Sequence, residues 1–308
     1  MKKGVPLTHR LAFAYSIKGF RGSSHFWRFA RIFKVENSGD LVYLPNGFPL
    51  IVNNTDWIAR TIYEGTYERP LINLLNKISV NGCFIDVGAN IGVTLWNGMQ
   101  NSGENASFIA IEPSEQCQSG LERTTKNIDK QGQILKIALG KENGMLIMHG
   151  LNNPEQSGGA SLLAHDGLKG EDISVQVRKL DDLVFNGEIS KPVSLLKIDT
   201  EGYEEQVLAG GKNLISGSKV LIFILEVSPS FGSVDWVREL YSEISIEYTF
   251  FRLVETGVIQ KKARLVAVEI EEALSISEQW NLVIFRNDFL EAETGISSMI
   301  KRFKPREK

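Results

Sequence analysis

"CFIDVGANIGVTLWNGM", Cys83–Met99, changes character at its middle. The first five residues are a short apolar run of strand type. Gly88 and Gly92 bracket a turn, and Val93 to Met99 can start a helix. A strand feeding a helix through a glycine turn is half of a strand–helix–strand unit. "SFIAIEP" (Ser107–Pro113) supplies a second strand, Ser114 to Asn127 a helix with Ser114 as N-cap, and "ILKIAL" (Ile134–Leu139) a third strand. Such units build a parallel sheet with right-handed crossovers.

The alternation pauses between Gly140 and Asp182. There "MLIMHG", the polar loop "NNPEQSGGASLL" and "ISVQVRKLDDL" predict an antiparallel excursion. "VSLLKID" returns to the sheet, followed by a helix from about Tyr203 that buries Val207, Leu208, Gly211, Leu214 and Ile215. "KVLIFILEV" is a fully buried strand. "YTFFRLV" and "NLVIFR" close the domain, with no long helix expected between either and its neighbour. The pattern predicts an open, mostly parallel α/β sheet with an antiparallel end. Upstream, "DLVYLPNGFPLIVNN" predicts short strands around a Pro-Asn-Gly turn, and "ARTIYEGTYERPLINLLNKI" has helical spacing in its second half.

Composition excludes several classes. The 308 residues are 43% hydrophobic and 23% charged with a formal net charge of −3, so nothing draws the chain generally toward nucleic acid. Cys83 and Cys117 are too few for a disulfide framework or a cysteine zinc site, which points to a reduced, cytoplasmic compartment. No stretch approaches the roughly 20 apolar residues of a transmembrane helix, and "LAFAYSI" (Leu11–Ile17) is too short for a signal peptide. Charge is uneven: Lys2, Lys3, Arg10, Lys18, Arg21, Arg28, Arg31 and Lys34 precede the first acid, Glu36. "HFWRFARIFK" sets Phe26, Phe29, Ala30 and Phe33 at helical spacing, with Arg28 and Arg31 elsewhere on the wheel. A helix packed on its own domain is the plainer expectation. A peripheral contact with anionic lipid at the inner membrane face, or with a protein, is the sharper one. The chain divides into a basic segment with short strands (1–60), a main domain (61–290) and a basic tail (291–308) that is expected to fray.

Open α/β sheets bind ligands beyond the carboxyl ends of their strands. Those ends carry Asp86 to Gly92, Glu112, Ala138, Asp199 to Gly202, and Glu226. Four of the five places bear acid, which points to a pocket. A nicotinamide fingerprint fails, because Asn90 and Val93 stand where glycines are needed. Glu112, by contrast, suits the two hydroxyls of a ribose.

Together "FIDVGANIG", "FIAIEPS", "VRKLDDL" and "LLKIDTEGYEEQVLAGG" resemble the FkbM family of S-adenosylmethionine-dependent methyltransferases, from about Gly65 to Val227. "WNLVIFR" resembles the family's last strand. The resemblance implies a Rossmann-like class I methyltransferase fold with a seven-stranded sheet, and O-methylation of a glycan or secondary metabolite, with a place in polysaccharide biosynthesis. It implies that Asp86, Gly88, Ala89, Asn90, Gly92 and Thr94 line the methionine end of the cofactor. Glu112 would hold the ribose, and Pro113, Ser114 and Ala138 would flank the adenine. Thr200 and Tyr203 depart from the small apolar residues common in the family.

"KIDTEG" carries the expected chemistry. Lys197 and Asp199 alternate with Leu196 and Ile198, so they share one side of the strand. Asp199 is the first candidate, as general base or as anchor of the cofactor's amino group. Glu201 is the second, and Lys197 can serve as the partner that keeps Asp199 ionised. Glu204 and Glu205 suit the first turn of a helix, where acids complement its dipole. Asp199 and Glu226 could together hold Mg²⁺, but no third ligand has clear spacing, so no metal is expected. His149 and His165 are expected on a surface loop. The acceptor is expected to be a hydroxylated small molecule or glycan. The alternatives are a methyltransferase for a non-hydroxyl acceptor, or a cofactor-binding protein of this fold without transfer activity.

Overall fold

The computed structural model describes residues 5–30, 39–53, 55–153, 155, 158–164, 168–217, 219–293 and 295–300. The tail 301–308, Lys2, Lys3, Arg31, Phe33, Lys34, Glu36, His165 and the side chains of Phe26, Phe29 and Ala30 lie outside that description.

Alternation decides the architecture. In strands β3 (Cys83–Val87), β4 (Ser107–Ile111), β9 (Val193–Ile198) and β10 (Val220–Val227), nearly every residue is buried. Successive side chains point to opposite faces, and both faces are covered. Phe84, Phe108, Leu195 and Ile222 pack on one side with Leu74, Leu95 and Met99. Ile85, Ile109, Leu196 and Phe223 pack on the other with Leu180, Val207 and Leu214. Each fully buried side chain of this kind contributes ~1.5–3 kcal/mol, so the central strands are the stable frame on which the ends are built.

Among the described residues, eight strands form the main sheet in the order β12-β11-β13-β10-β9-β3-β4-β5. Here β5 is Gln131–Leu135, β11 Tyr248–Thr256, β12 Lys262–Ala267 and β13 Trp280–Arg286. Strands β10 through β5 run parallel, and β13, β11 and β12 pair antiparallel. This is the Rossmann-like methyltransferase arrangement with an antiparallel end. β12 adds an eighth, edge strand to the seven that the resemblance implies.

Three sequence expectations are corrected in detail. "ILKIAL" is not one strand: the chain leaves the sheet after Leu135, and β6 (Ala138–Leu139) joins β8 (Glu171–Arg178) in a separate three-stranded sheet with β7 (Gly144–Leu151). That small sheet is the antiparallel excursion expected between Gly140 and Asp182. A helix, Trp236–Ile244, does separate β10 from β11, burying Trp236, Val237, Leu240 and Ile244. The spacing of those four residues was its signal. Ser114 occupies the N-cap of helix Glu115–Thr125, but its hydroxyl makes no capping bond.

Upstream, β1 (Leu41–Tyr43) and β2 (Pro49–Ile51) pair around the Pro-Asn-Gly turn as expected. The helices Leu7–Ile17 and Ser23–Ala30 precede them. Ala12, Phe13 and Trp27 share one apolar cluster with Ile58, Ile62, Val93 and Trp96. The Trp27 indole N–H donates to Ser16 Oγ and the Glu64 carbonyl, both at 2.9 Å.

Candidate active site

The ends of β3 and β9 come unusually close. Gly88 has φ +73°, and a Cβ there would stand 1.8 Å from the Asp199 carbonyl oxygen. Any side chain would therefore force the two strand ends apart. The Gly88 and Ala89 N–H groups donate to the Ile111 carbonyl at 3.0 and 3.1 Å, which ties the turn to β4. Asn90, at φ +49°, donates its backbone N–H to Glu112 Oε2 at 2.8 Å, while Ser114 N–H donates to Glu112 Oε1 at 2.8 Å. Each Glu112 oxygen thus holds one backbone donor and keeps a lone pair for a ligand. Burial pushes the Glu112 carboxyl up to about 6, against the pull of those two N–H groups.

Above this floor lies a cavity of about 490 Å³. Gly88, Asn90, Glu112, Pro113, Ser114 and Ala138 line it at the β3–β4 side, and Asp199, Glu201, Glu226 and Glu68 at the other. Of the residues expected from sequence, the structure brings eight to its wall. Asp86, Ala89, Gly92, Thr94 and Lys197 stand outside it.

Strand register explains where two of those five went. Asp86 is the cross-strand partner of Lys197. The Lys197 ammonium lies 3.3 Å from Asp86 Oδ1 and 3.1 Å from Asp199 Oδ2, and donates to the Gly88 carbonyl at 3.2 Å. Thr94 Oγ1 donates to Asp86 Oδ2 at 2.7 Å. Burial opposes the Lys197 charge, but Asp199 and Asp86 together outweigh it and hold the ammonium above the usual lysine range. Burial raises the Asp86 carboxyl despite Lys197 and Thr94. This sealed bridge underlies the cavity and presents Asp199 at its surface.

The turn after β9 gathers the acids. Glu201 sits at φ +54° and Gly202 at φ +98°. A Cβ on Gly202 would meet Phe231 at 2.6 Å. Glu204, buried in the first turn of helix Glu204–Ala209, accepts from Thr200 N–H at 2.8 Å, Thr200 Oγ1 at 3.0 Å and Gly202 N–H at 3.2 Å. It clamps the turn, whereas Glu205 is exposed. Ser161 Oγ donates to the Glu201 carbonyl at 2.7 Å, joining the loop of the small sheet to the same turn. Non-glycine residues held in the left-handed region cost ~1–3 kcal/mol each and persist where the surroundings over-determine them. Glu204, Ser161 and Phe231 supply that constraint.

Burial, then the Asp199 charge, pushes Glu201 up to about 8 and Glu68 up to about 7. The same causes hold Glu226 well above the usual carboxylate range. Asp199, Glu201 and Glu226 each offer an oxygen within 4.8 Å of the others, so Glu201 is the third candidate ligand that sequence spacing did not single out. These are the residues that could hold a hard divalent cation; their chemistry suits a proton acceptor equally.

Sequence reasoning missed the wall formed by Tyr67, Glu68, Gln279, Trp280 and Asn281. Glu68, at φ +39°, lies 3.5 Å from Asn281 Nδ2, and Gln279 Nε2 donates to Glu226 Oε1. These residues come from segments that no local motif links. His149 stays out of the cavity, but it lies within strand β7 rather than on a surface loop, and pairs with Asp172 at 3.0 Å.

Residues 86–259, more than half of the chain, match the model of the methyltransferase FkbM domain. The hexuronic acid methyltransferase AglP of Haloferax volcanii is 27% identical over 199 residues, covering 63% of this chain and 77% of that protein. Methyltransferase 1 of Beauveria bassiana is 31% identical over 147 residues, covering 41% of this chain and 57% of that protein. Among solved structures, precorrin-6y C5,15-methyltransferase of Geobacter metallireducens GS-15 aligns over 72% of this chain and 89% of its own, at 10% identity and a TM-score of 0.36, too distant to bear on function. By its matched domain the chain belongs to the FkbM family of methyltransferases, with S-adenosylmethionine as cofactor.

Proposed function

We propose that this methyltransferase transfers the methyl group to a hydroxyl oxygen of a sugar, glycan or hydroxylated metabolite. The observation that carries the reading is the meeting, in one cavity, of Glu112 and the glycine turn with the carboxylates of Asp199 and Glu201. The name of the Haloferax relative, a hexuronic acid methyltransferase, supports a sugar acceptor.

The donor set fits the cofactor: Glu112 has acceptor capacity for two ribose hydroxyls, beside backbone that no side chain obstructs. When bound, S-adenosylmethionine supplies an electrophilic methyl group on a sulfonium sulfur. The protein's task is then alignment and proton removal. Alignment of acceptor and methyl is worth ~7–11 kcal/mol. A sugar hydroxyl is a weak acid, so its methylation would need a base to take up the hydroxyl proton. Asp199, held by Lys197, accepts a hydrogen bond from the acceptor and orients it. Glu201, whose carboxyl is raised to about 8, takes the proton, since a base titrating near the working pH is the most effective.

Transfer of labelled methyl groups to a panel of glycans and hydroxylated metabolites tests this, with the product's linkage read by mass spectrometry. Methyl ethers are expected. Methylation on nitrogen, or no transfer across the panel by protein that binds the cofactor, overturns it.

A further inference from the structure

One side of the helix Leu7–Ile17 does not face the core. His9, Ala12, Phe13 and Ser16 are buried, while Leu7, Leu11 and Tyr15, four residues apart, are 70%, 54% and 36% exposed. A helix packed by one face ordinarily turns polar residues outward. Here the outward stripe is apolar.

A second segment, far away in sequence, extends it. Phe20 bridges antiparallel to Gln260. Arg21 N–H donates to the Ile259 carbonyl at 2.8 Å, and Lys261 N–H to the Gly19 carbonyl at 2.7 Å. This contact brings Val258 and Ile259, 76% and 77% exposed, beside the chain that continues from the stripe. Tyr15 links the two, stacking on Phe20 with ring centres 4.9 Å apart and donating its hydroxyl to the Arg21 carbonyl at 3.1 Å. Single exposed apolar residues need no explanation, but a group assembled from two segments does.

The exposed charge named around this group is mostly cationic, although Lys261 also lies 3.8 Å from Glu255 Oε2. Arg10, Lys18, Arg21, Lys261 and Lys262 are exposed, and no acid precedes Glu36 in the sequence. Apolar side chains rimmed by cations match the boundary between acyl chains and anionic headgroups. Among the described residues no helix is long and apolar enough to cross a membrane, so the contact would be a surface one.

We infer that the Leu7–Leu11–Tyr15 stripe and the Val258–Ile259 turn dock together on an anionic lipid bilayer. The apolar tips enter the headgroup boundary, and Lys18, Arg21 and the neighbouring bases meet the lipid phosphates.

The test is co-sedimentation of the full chain with vesicles of phosphatidylcholine, alone or with about one third phosphatidylglycerol. Partitioning at least about tenfold higher on the anionic vesicles is expected, falling sharply in ~0.5 M salt as the charges are screened. Leu11→Ser and Ile259→Ser should each lower partitioning about fivefold or more, with cofactor binding kept as evidence of folding. Phe185→Ser, at an exposed apolar residue elsewhere, should change nothing. Equal partitioning on both vesicle types, no partitioning, or full binding by both variants overturns the inference. So does a concentration-dependent dimer that Leu11→Ser abolishes, since a second copy would then be the occupant.

Discussion

The two ends of the cavity differ in their chemistry. At the β3–β4 end the ligand-facing groups are backbone and a single acid, Glu112, pinned by two N–H groups. At the β9–β10–β13 end Asp199, Glu201, Glu226 and Glu68 crowd together. The first end fixes a shape, and its one carboxylate is pinned by two backbone donors that partly offset the effect of burial. The second keeps several carboxyls so close that burial and mutual repulsion raise Glu68, Glu201 and Glu226. The contrast teaches that holding calls for pinned groups, while moving a proton calls for groups poised to change state.

The largest expected effect would break the contrast at the crowded end. Glu201→Gln keeps the shape and removes the proton acceptor, so kcat should fall ~10²–10⁴-fold while the cofactor Kd stays within a few-fold. Steady-state kinetics with calorimetric titration separates the two numbers. A strong loss of cofactor affinity instead would move Glu201 to the holding end.

Next in size, Glu112→Ala should weaken S-adenosylmethionine binding by ~2–4 kcal/mol, roughly 30- to 1000-fold in Kd, through loss of two charge-assisted hydrogen bonds. The fold should survive, because the residue caps a strand end rather than filling the core.

A pH series sharpens the comparison without mutation. Glu201 accepts a proton only when ionised, so kcat/KM should rise about tenfold per pH unit and level off near 8, or lower once the cofactor's positive charge favours the carboxylate. Glu112 accepts from a ribose best when ionised, so cofactor affinity should weaken as pH falls through about 6. Two separate bends, one in rate and one in binding, are expected; a shared bend would mean the ends act as one unit.

The smallest expected effect is none. If the three carboxylates at β9 and β10 serve as base and positioning groups, EDTA should leave activity unchanged. Activity lost to EDTA and restored by Mg²⁺ would instead assign Asp199, Glu201 and Glu226 to coordination.

How much of this could be read beforehand follows the same division. The glycine turn, Glu112 and "KIDTEG" are local patterns at strand ends, and the shared side of Lys197 and Asp199 follows from strand alternation. That Asp86 completes the bridge depends on the register of β3 against β9, which no single segment encodes. The place of Tyr67, Glu68 and Gln279 to Asn281 in the cavity wall was hidden for the same reason, even though Trp280 and Asn281 open the legible strand "WNLVIFR": tertiary packing, not spacing, brings them there. Helix Trp236–Ile244 was different. Its apolar periodicity was present in the sequence and went unread. Phe13, in the basic segment 1–60, packs against Gly65, immediately before the turn that presents Tyr67 and Glu68, a contact that no local pattern announces.

The position of those late-found residues has a practical consequence. Tyr67 and Glu68 precede the matched methyltransferase domain, residues 86–259, and Gln279 to Asn281 follow it. The acid-lined side of the cavity, with Asp199, Glu201 and Glu226 from inside the matched region, is thus completed by Tyr67 and Glu68 from before it and by Gln279 to Asn281 from after it. A fragment cut to the matched residues 86–259 would therefore lack part of the wall of its own cavity.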